Sequence, residues 1–277
     1  MIRLAILDLY EGQPNQGMRC IRQIIRDVSA QLHIPISFDE FDVRLKNEVP
    51  DLIYDIYIST GGPGDPLASE GSDWEKKYFH WLESVENYNA GTEHTEKKQV
   101  FFICHSFQMA CRYFHLGEIS RRKSTAFGVF PVHVTHDGQQ DFVFDGLADP
   151  FYVVDSRHYQ VTVADVDKFL LTGAKVLCIE KYRPHVPLPQ AVMGIRFNEH
   201  MAGTQFHPEA DAEGMAMYLQ QEEKKETVIE NHGYEKWKSM VEQLNDPDKI
   251  MWTYSHVLPN FLKEAISHHK SELIVNS

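Results

Sequence analysis

Val100 to Ile103 is a short, unbroken apolar run of β-branched and aromatic residues that ends on Cys104-His105-Ser106-Phe107-Gln108. Such a run reads as a strand buried on both faces. Phe107, Ala110, Cys111 and Phe114 then recur at helical spacing, so Cys104 falls at a strand-to-helix junction. α/β folds expose nucleophiles at such junctions, because the unpaired N–H groups and dipole of the helix N-terminus favour a thiolate. Taken alone, the stretch reads equally well as core, since a free Cys is usually buried and inert.

The flanking segments decide what surrounds this strand. Leu4–Leu9, Ile34–Phe41 and Leu52–Ser59 read as strands, and Met18, Ile21, Ile24, Ile25 and Val28 mark one helix face. Trp74–Val85 reads as another helix, and Asn87–Lys98 as a polar surface loop. This alternation predicts an α/β fold with an open, mostly parallel sheet covered by helices on both faces. After Gly117 the pattern is strand-rich: Ala126–Thr135, Phe151–Val154, Phe169–Ile179, Gln190–Phe197 and Met201–Phe206. These fit an antiparallel region or added edge strands. From Asp211 the spacing turns helical, with a start at Asp246-Pro247 and a long stripe from Ile250 to Ala265 that Pro259 should kink or interrupt. The expected division is a main domain over 1–210 and a helical extension over 211–277 packed on it.

A net charge of −13 disfavours nucleic acid and anionic membranes as partners. Four cysteines without metal or disulfide spacing suit a reducing compartment, and no apolar run is long enough to span a bilayer. A cytoplasmic protein is expected. His115, His133, His136, His185 and His200 show no paired ligand spacing, so neither a metal nor a cofactor is expected.

Two further stretches bear on Cys104. In Gln205-Phe206-His207-Pro208-Glu209, residues two apart on an extended chain point to one side. His207 can therefore take a thiol proton while Glu209 orients the imidazole. Ser59-Thr60-Gly61-Gly62-Pro63-Gly64-Asp65-Pro66 follows a strand, and its glycines let a backbone N–H turn toward a ligand. That loop and the His105 N–H could form an oxyanion hole. All three stretches lie at strand C-terminal ends, where such sheets bind ligands.

Together the Gly-Gly-Pro-Gly loop, the Cys elbow followed by Gln108, and the His-Pro-Glu sequence resemble the class I (triad-type) glutamine amidotransferases, over roughly residues 2–210. The resemblance implies a flavodoxin-like sheet and the hydrolysis of the glutamine side-chain amide. It makes Cys104 the nucleophile, His207 the base and acid, Glu209 its orienter, and the N–H groups of Gly62 and His105 the oxyanion hole. A γ-glutamyl thioester would form and be resolved by water. Gln108, Gly64, Ser156, Arg157, His158 and Tyr159 occupy the places of the family's substrate contacts. The family elbow carries glycine where this chain has Phe102 and Ser106. Ser fits there; Phe102 must either open the elbow or turn its ring into the helix layer.

Three functions fit. The first is a glutaminase that takes glutamine, a small molecule, as substrate and passes ammonia to an acceptor or to a separate synthetase subunit. About 70 residues follow Glu209, too few for a nucleotide-binding synthetase domain. The second keeps the triad as a stand-alone γ-glutamyl hydrolase or an acyltransferase resembling the homoserine acyltransferases, with Ser156-Arg157 suited to a carboxylate. The third is a non-catalytic binding module.

Overall fold

In the computed structural model the apolar runs pair into one nine-stranded sheet. Its strands are β1 (Ile2–Asp8), β2 (Ile36–Asp42), β3 (Ile56–Ser59), β4 (Gln99–Ile103), β5 (Glu118–Val134), β6 (Phe151–Thr162), β7 (Lys175–Glu180), β8 (Val192–Asn198) and β9 (Met201–Thr204). The helices are α1 (Gly17–Leu32), α2 (Asp73–Ala90), α3 (His105–Tyr113), α4 (Ala212–Gln220), α5 (Glu222–His232), α6 (Tyr234–Leu244) and α7 (Ile250–Val275). The structure describes residues 1–163, 169, 171–182, 188–244, 246 and 249–275.

The strand order is β2-β1-β3-β4-β9-β8-β7-β5-β6. From β2 to β9 every pairing is parallel, and from β9 outward every pairing is antiparallel. The parallel half is the expected open sheet, and the region after Gly117 is the antiparallel option. Because β3, β4 and β9 are parallel neighbours, the residues following them emerge at one edge of the sheet. The Gly loop, Cys104 and His207 follow those three strands.

Alternation along each strand feeds two cores. Leu4, Ile6, Ile58, Phe101 and Ile103 face α1 and α7, whereas Ala5, Leu7, Tyr57, Val100 and Phe102 face α2 and α3. All five helical positions expected on α1 are buried. A third cluster packs Val129 and Val154 of the β5–β6 ribbon against Met215, Leu219 and Met240 of α4 and α6.

Four expectations are corrected. The segment after Trp74 stays helical through Ala90, four residues into the expected loop. The strand expected from Phe169 begins at Lys175, and residues 169, 171 and 172 are helical; 170 lies outside the described residues. Pro259 does not interrupt α7. An interior Pro costs about 3 kcal/mol, while burial of Val257, Leu258, Phe261 and Leu262 contributes about 1.5–3 kcal/mol each, so packing wins. α7 starts at Ile250 rather than at Asp246; Pro247 and His185 lie outside the described residues.

The Phe102 problem is solved by its neighbour. Phe102 stands in register with Gly203 of β9. Its ring turns into the helix layer, in edge contact with Phe197 at 5.6 Å. A Cβ at 203 would come 2.7 Å from the Phe102 carbonyl oxygen, 2.9 Å from its Cβ and 3.2 Å from Phe107 Cδ2. The small residue has moved one strand over. Gly203→Ala is therefore expected to destabilise the chain by about 1–3 kcal/mol through overpacking, and Phe102→Gly in the same chain, which removes the Cβ that the new methyl meets, to recover part of that loss. Urea unfolding of the two single variants and the double variant measures this, and strictly additive losses would refute the size exchange.

Candidate active site

β4 delivers Cys104 at the start of α3 with φ 49° and ψ −99°. A non-glycine residue held there costs about 1–3 kcal/mol and persists only where its surroundings fix it. Here the Cys104 N–H donates to the Thr204 carbonyl at 2.8 Å, and the Cys104 carbonyl accepts from the Gln108 N–H at 3.0 Å. Ser106, at the second elbow position, accepts from the Ile103 N–H at 2.8 Å and donates to the Ser59 carbonyl at 2.7 Å. Its hydroxyl thus ties β3 to β4 beneath the turn. The sulfur sits 3.9 Å from the Ser156 carbonyl oxygen.

His207 arrives from β9. Its backbone N–H donates to the Val154 carbonyl at 2.9 Å, pinning it to β6. Its Nδ1 donates to Glu209 Oε1 at 2.9 Å, which leaves Nε2 free for a proton exchanged with the Cys104 sulfur. Burial opposes a charged imidazole, but the negative charges of Cys104 and Glu209 override it and hold the His207 pKa well above 6.5. Glu209 is 1% exposed, and Oε1 also accepts from the Tyr10 hydroxyl at 3.3 Å. Tyr10 was missed from the sequence. Its signal was its place just past β1, which ends at the same sheet edge. A Cβ at Gly17, the first residue of α1, would come 2.2 Å from the Tyr10 hydroxyl oxygen, so glycine lets α1 close behind it.

The glycine loop presses on this pair from another side. A Cβ at Gly61 would lie 2.8 Å from His207 Cε1 and 3.5 Å from Cys104 Cβ. Gly62 instead faces Leu9, whose carbonyl oxygen a Cβ would meet at 2.3 Å. Gly61, which the sequence reading did not single out, is thus the glycine against the Cys104 Cβ and the imidazole. Gly64 has a φ of +96°, and Arg44 braces the loop by donating to the Pro63 carbonyl at 2.6 Å.

The other expected residues divide. Gln108 is buried, its amide donating to the Tyr159 carbonyl at 3.3 Å, and the Tyr159 hydroxyl donates to Asp65 at 2.6 Å. These three bridge α3, β6 and the glycine loop. Arg157 is turned inward: its Nε donates to both Asp155 oxygens at 2.8 and 3.0 Å with its side chain 1% exposed. Its guanidinium is committed to that pair. His158 is exposed and contacts Thr125. His105 is buried, and burial, with Arg44 and Arg112 nearby, pushes its pKa down to about 3 despite Asp65. It is a neutral imidazole next to Cys104 in the chain. Far from the site, Asp55, Glu96 and His269 bring ligand atoms within 4.8 Å of one another; the Lys98 ammonium, 3.8 Å from Asp55, already supplies positive charge there.

Chemically, a strained sulfur at a helix N-terminus, a relay of imidazole and carboxylate, and a glycine loop against both can form and resolve a thioester. Comparison with known proteins agrees with the fold. A glutamine amidotransferase from Thermotoga maritima superposes with a TM-score of 0.66 at 16% identity, over 96% of this chain and 98% of that one. The Trypanosoma brucei CTPS glutaminase domain with bound acivicin superposes with a TM-score of 0.55 at 13% identity, over 76% and 86%. A homoserine O-acetyltransferase from Clostridium tetani is 29% identical over 133 residues, which is 48% of this chain and only 40% of that protein's length. The family model for glutamine amidotransferase class-I matches residues 19–223. This chain belongs to the class-I glutamine amidotransferase family.

Proposed function

We propose that the chain hydrolyses the glutamine side-chain amide through a thioester on Cys104. The observation that carries this reading is the Cys104 backbone, held at φ 49°, with His207 close enough for the sulfur to raise the imidazole pKa; a passive core Cys needs neither. The thiolate attacks the amide carbon, and His207 gives its proton to the departing ammonia. His207 then takes a proton from water as water adds to the thioester, and glutamate leaves. Glu209 holds the imidazole through Nδ1, and the N–H groups of Gly62 and His105 take the oxyanion. A neutral His105 side chain leaves the His207 charge undisturbed. Ammonia passes to an acceptor on another domain or a separate synthetase subunit. Four unpaired, buried cysteines fit a cytoplasmic setting, and no helix among the described residues is long and apolar enough to cross a membrane.

A second reading, acyl transfer to homoserine through the same thioester chemistry, is favoured by the 29% match to the acetyltransferase. A γ-glutamyl hydrolase would use the same steps on other amides.

Purified protein is expected to release ammonia from glutamine and to carry a γ-glutamyl-directed covalent inhibitor on Cys104, both lost in Cys104→Ser. Acetyl-CoA with homoserine is the competing assay: turnover there and none with glutamine would transfer the assignment to the second reading. The pH profile is a further test. The thiolate–imidazolium pair is competent while His207 keeps its proton, so the alkaline limb of kcat/KM is expected above pH 6.5, because its pKa is raised. Glu209→Gln removes one of the two raising charges and should move that limb to lower pH; an unmoved limb would count against the relay.

A further inference from the structure

A cavity of about 180 Å³ opens against His207, Glu209 and Ser156, and Phe127, Met215 and Tyr218 form much of its remaining wall. At about 30 Å³ per water-sized group it has room for about six such groups. We propose that this cavity binds a primary amine with a short, uncharged apolar body, and that the amine accepts the acyl group from Cys104. The proposal rests on the thioester reading above and names its second substrate.

The placement carries it. The two groups next to the Cys104 sulfur are the His207 imidazole and the Ser156 carbonyl, the latter at 3.9 Å. Ser156 and His207 both line the cavity while Cys104 does not, so a nucleophile seated there approaches the thioester carbon from the side of its proton acceptor. The wall's charge selects the acceptor. Asp211, at the rim, is neutralised by Arg19 at 2.7 Å. Glu209 pairs with the charged His207 through Oε1 at 2.9 Å, but its Oε2 has no hydrogen-bond partner. An acceptor with a carboxylate would face that unpartnered carboxylate oxygen, whereas an amine brings N–H donors to the Ser156 carbonyl. The apolar remainder of the wall suits a hydrocarbon body and disfavours bulk water, which competes for the thioester.

The step balances. The free-base amine attacks the thioester carbonyl carbon, the C–N bond forms and the C–S bond breaks. Cys104 leaves as the thiolate, and the proton lost by the amine nitrogen passes to His207. The product is an N-alkyl amide of the acyl group, and the enzyme returns to its thiolate–imidazolium form.

The experiment supplies glutamine with ethylamine, butylamine, hexylamine or a bulkier diphenylmethylamine to wild type and to Met215→Trp. Ammonia is measured alongside the γ-glutamyl alkylamide by mass spectrometry. In wild type the alkylamide is expected with the short amines and lost with the bulky one. Met215→Trp fills the cavity from α4; it should cut alkylamide formation at least about tenfold and leave ammonia release within about twofold. Where that variant fails to fold, the dependence on amine size in wild type decides alone. Ammonia release with no alkylamide from any amine overturns the proposal and leaves the hydrolase standing. Alkylamide formed regardless of amine size overturns it as well, since the acceptor then enters elsewhere. A homoserine ester formed in place of the alkylamide overturns the amine as acceptor. No ammonia and no mass on Cys104 removes the thioester reading and this proposal together.

Discussion

The parallel pairing of β4 with β9 is the constraint on which the site depends. Phe102 and Gly203 share a register, and the next ladder bond beyond them runs from the Cys104 N–H to the Thr204 carbonyl. That bond fixes Cys104 against the strand that carries His207 only three residues later. A slip of one residue would exchange the faces of β4 and send Phe102 into the core occupied by α1 and α7. Catalytic geometry and core packing are thus set by the same hydrogen-bond ladder.

Much of this was legible. The Cys104 strand, the α1 stripe and the His207–Glu209 spacing are local patterns of period 2 or 3.6, and local patterns survive folding. Part of what was not legible depends on partners distant in sequence. Phe102 looked wrong for the elbow because the residue that accommodates it, Gly203, lies on another strand. Arg157 looked free for a carboxylate, but its neighbour two residues back, Asp155, points to the same side of β6 and holds it. Tyr10 carries no motif at all; only the packing of α1, which starts at Gly17, brings its hydroxyl onto Glu209. Pro259 was read by propensity, and four buried apolar neighbours on α7 outweigh it.

His105 and His207 show how far surroundings outrank residue type. Both imidazoles are buried and both lie close to Cys104. His105 finds two guanidinium groups, of Arg44 and Arg112, against a single carboxylate at Asp65, and is held neutral. His207 finds the sulfur and Glu209, and is held charged. Burial works against the charged form in both; at His105 it is the largest cause of the downward shift, and at His207 the neighbouring negative charges reverse it. A site with two histidines near one thiol keeps a single proton carrier because the two face opposite fields.

The helices after Glu209 belong to the same argument. α7 fills one face of the parallel sheet, with Phe261 packed on Phe101 at 5.0 Å, two residues before the segment's last strand position at Ile103. α4 begins at Ala212, capped by Asp211, and its Met215 and Tyr218 form part of the wall behind His207. An appendage would bury its own core and leave the site unchanged. α7 shares the main core, and α4 shapes the space next to the imidazole. Their removal would strip apolar cover from β4 and open His207 to water, and water beside His207 would weaken the charge–charge coupling that holds its proton.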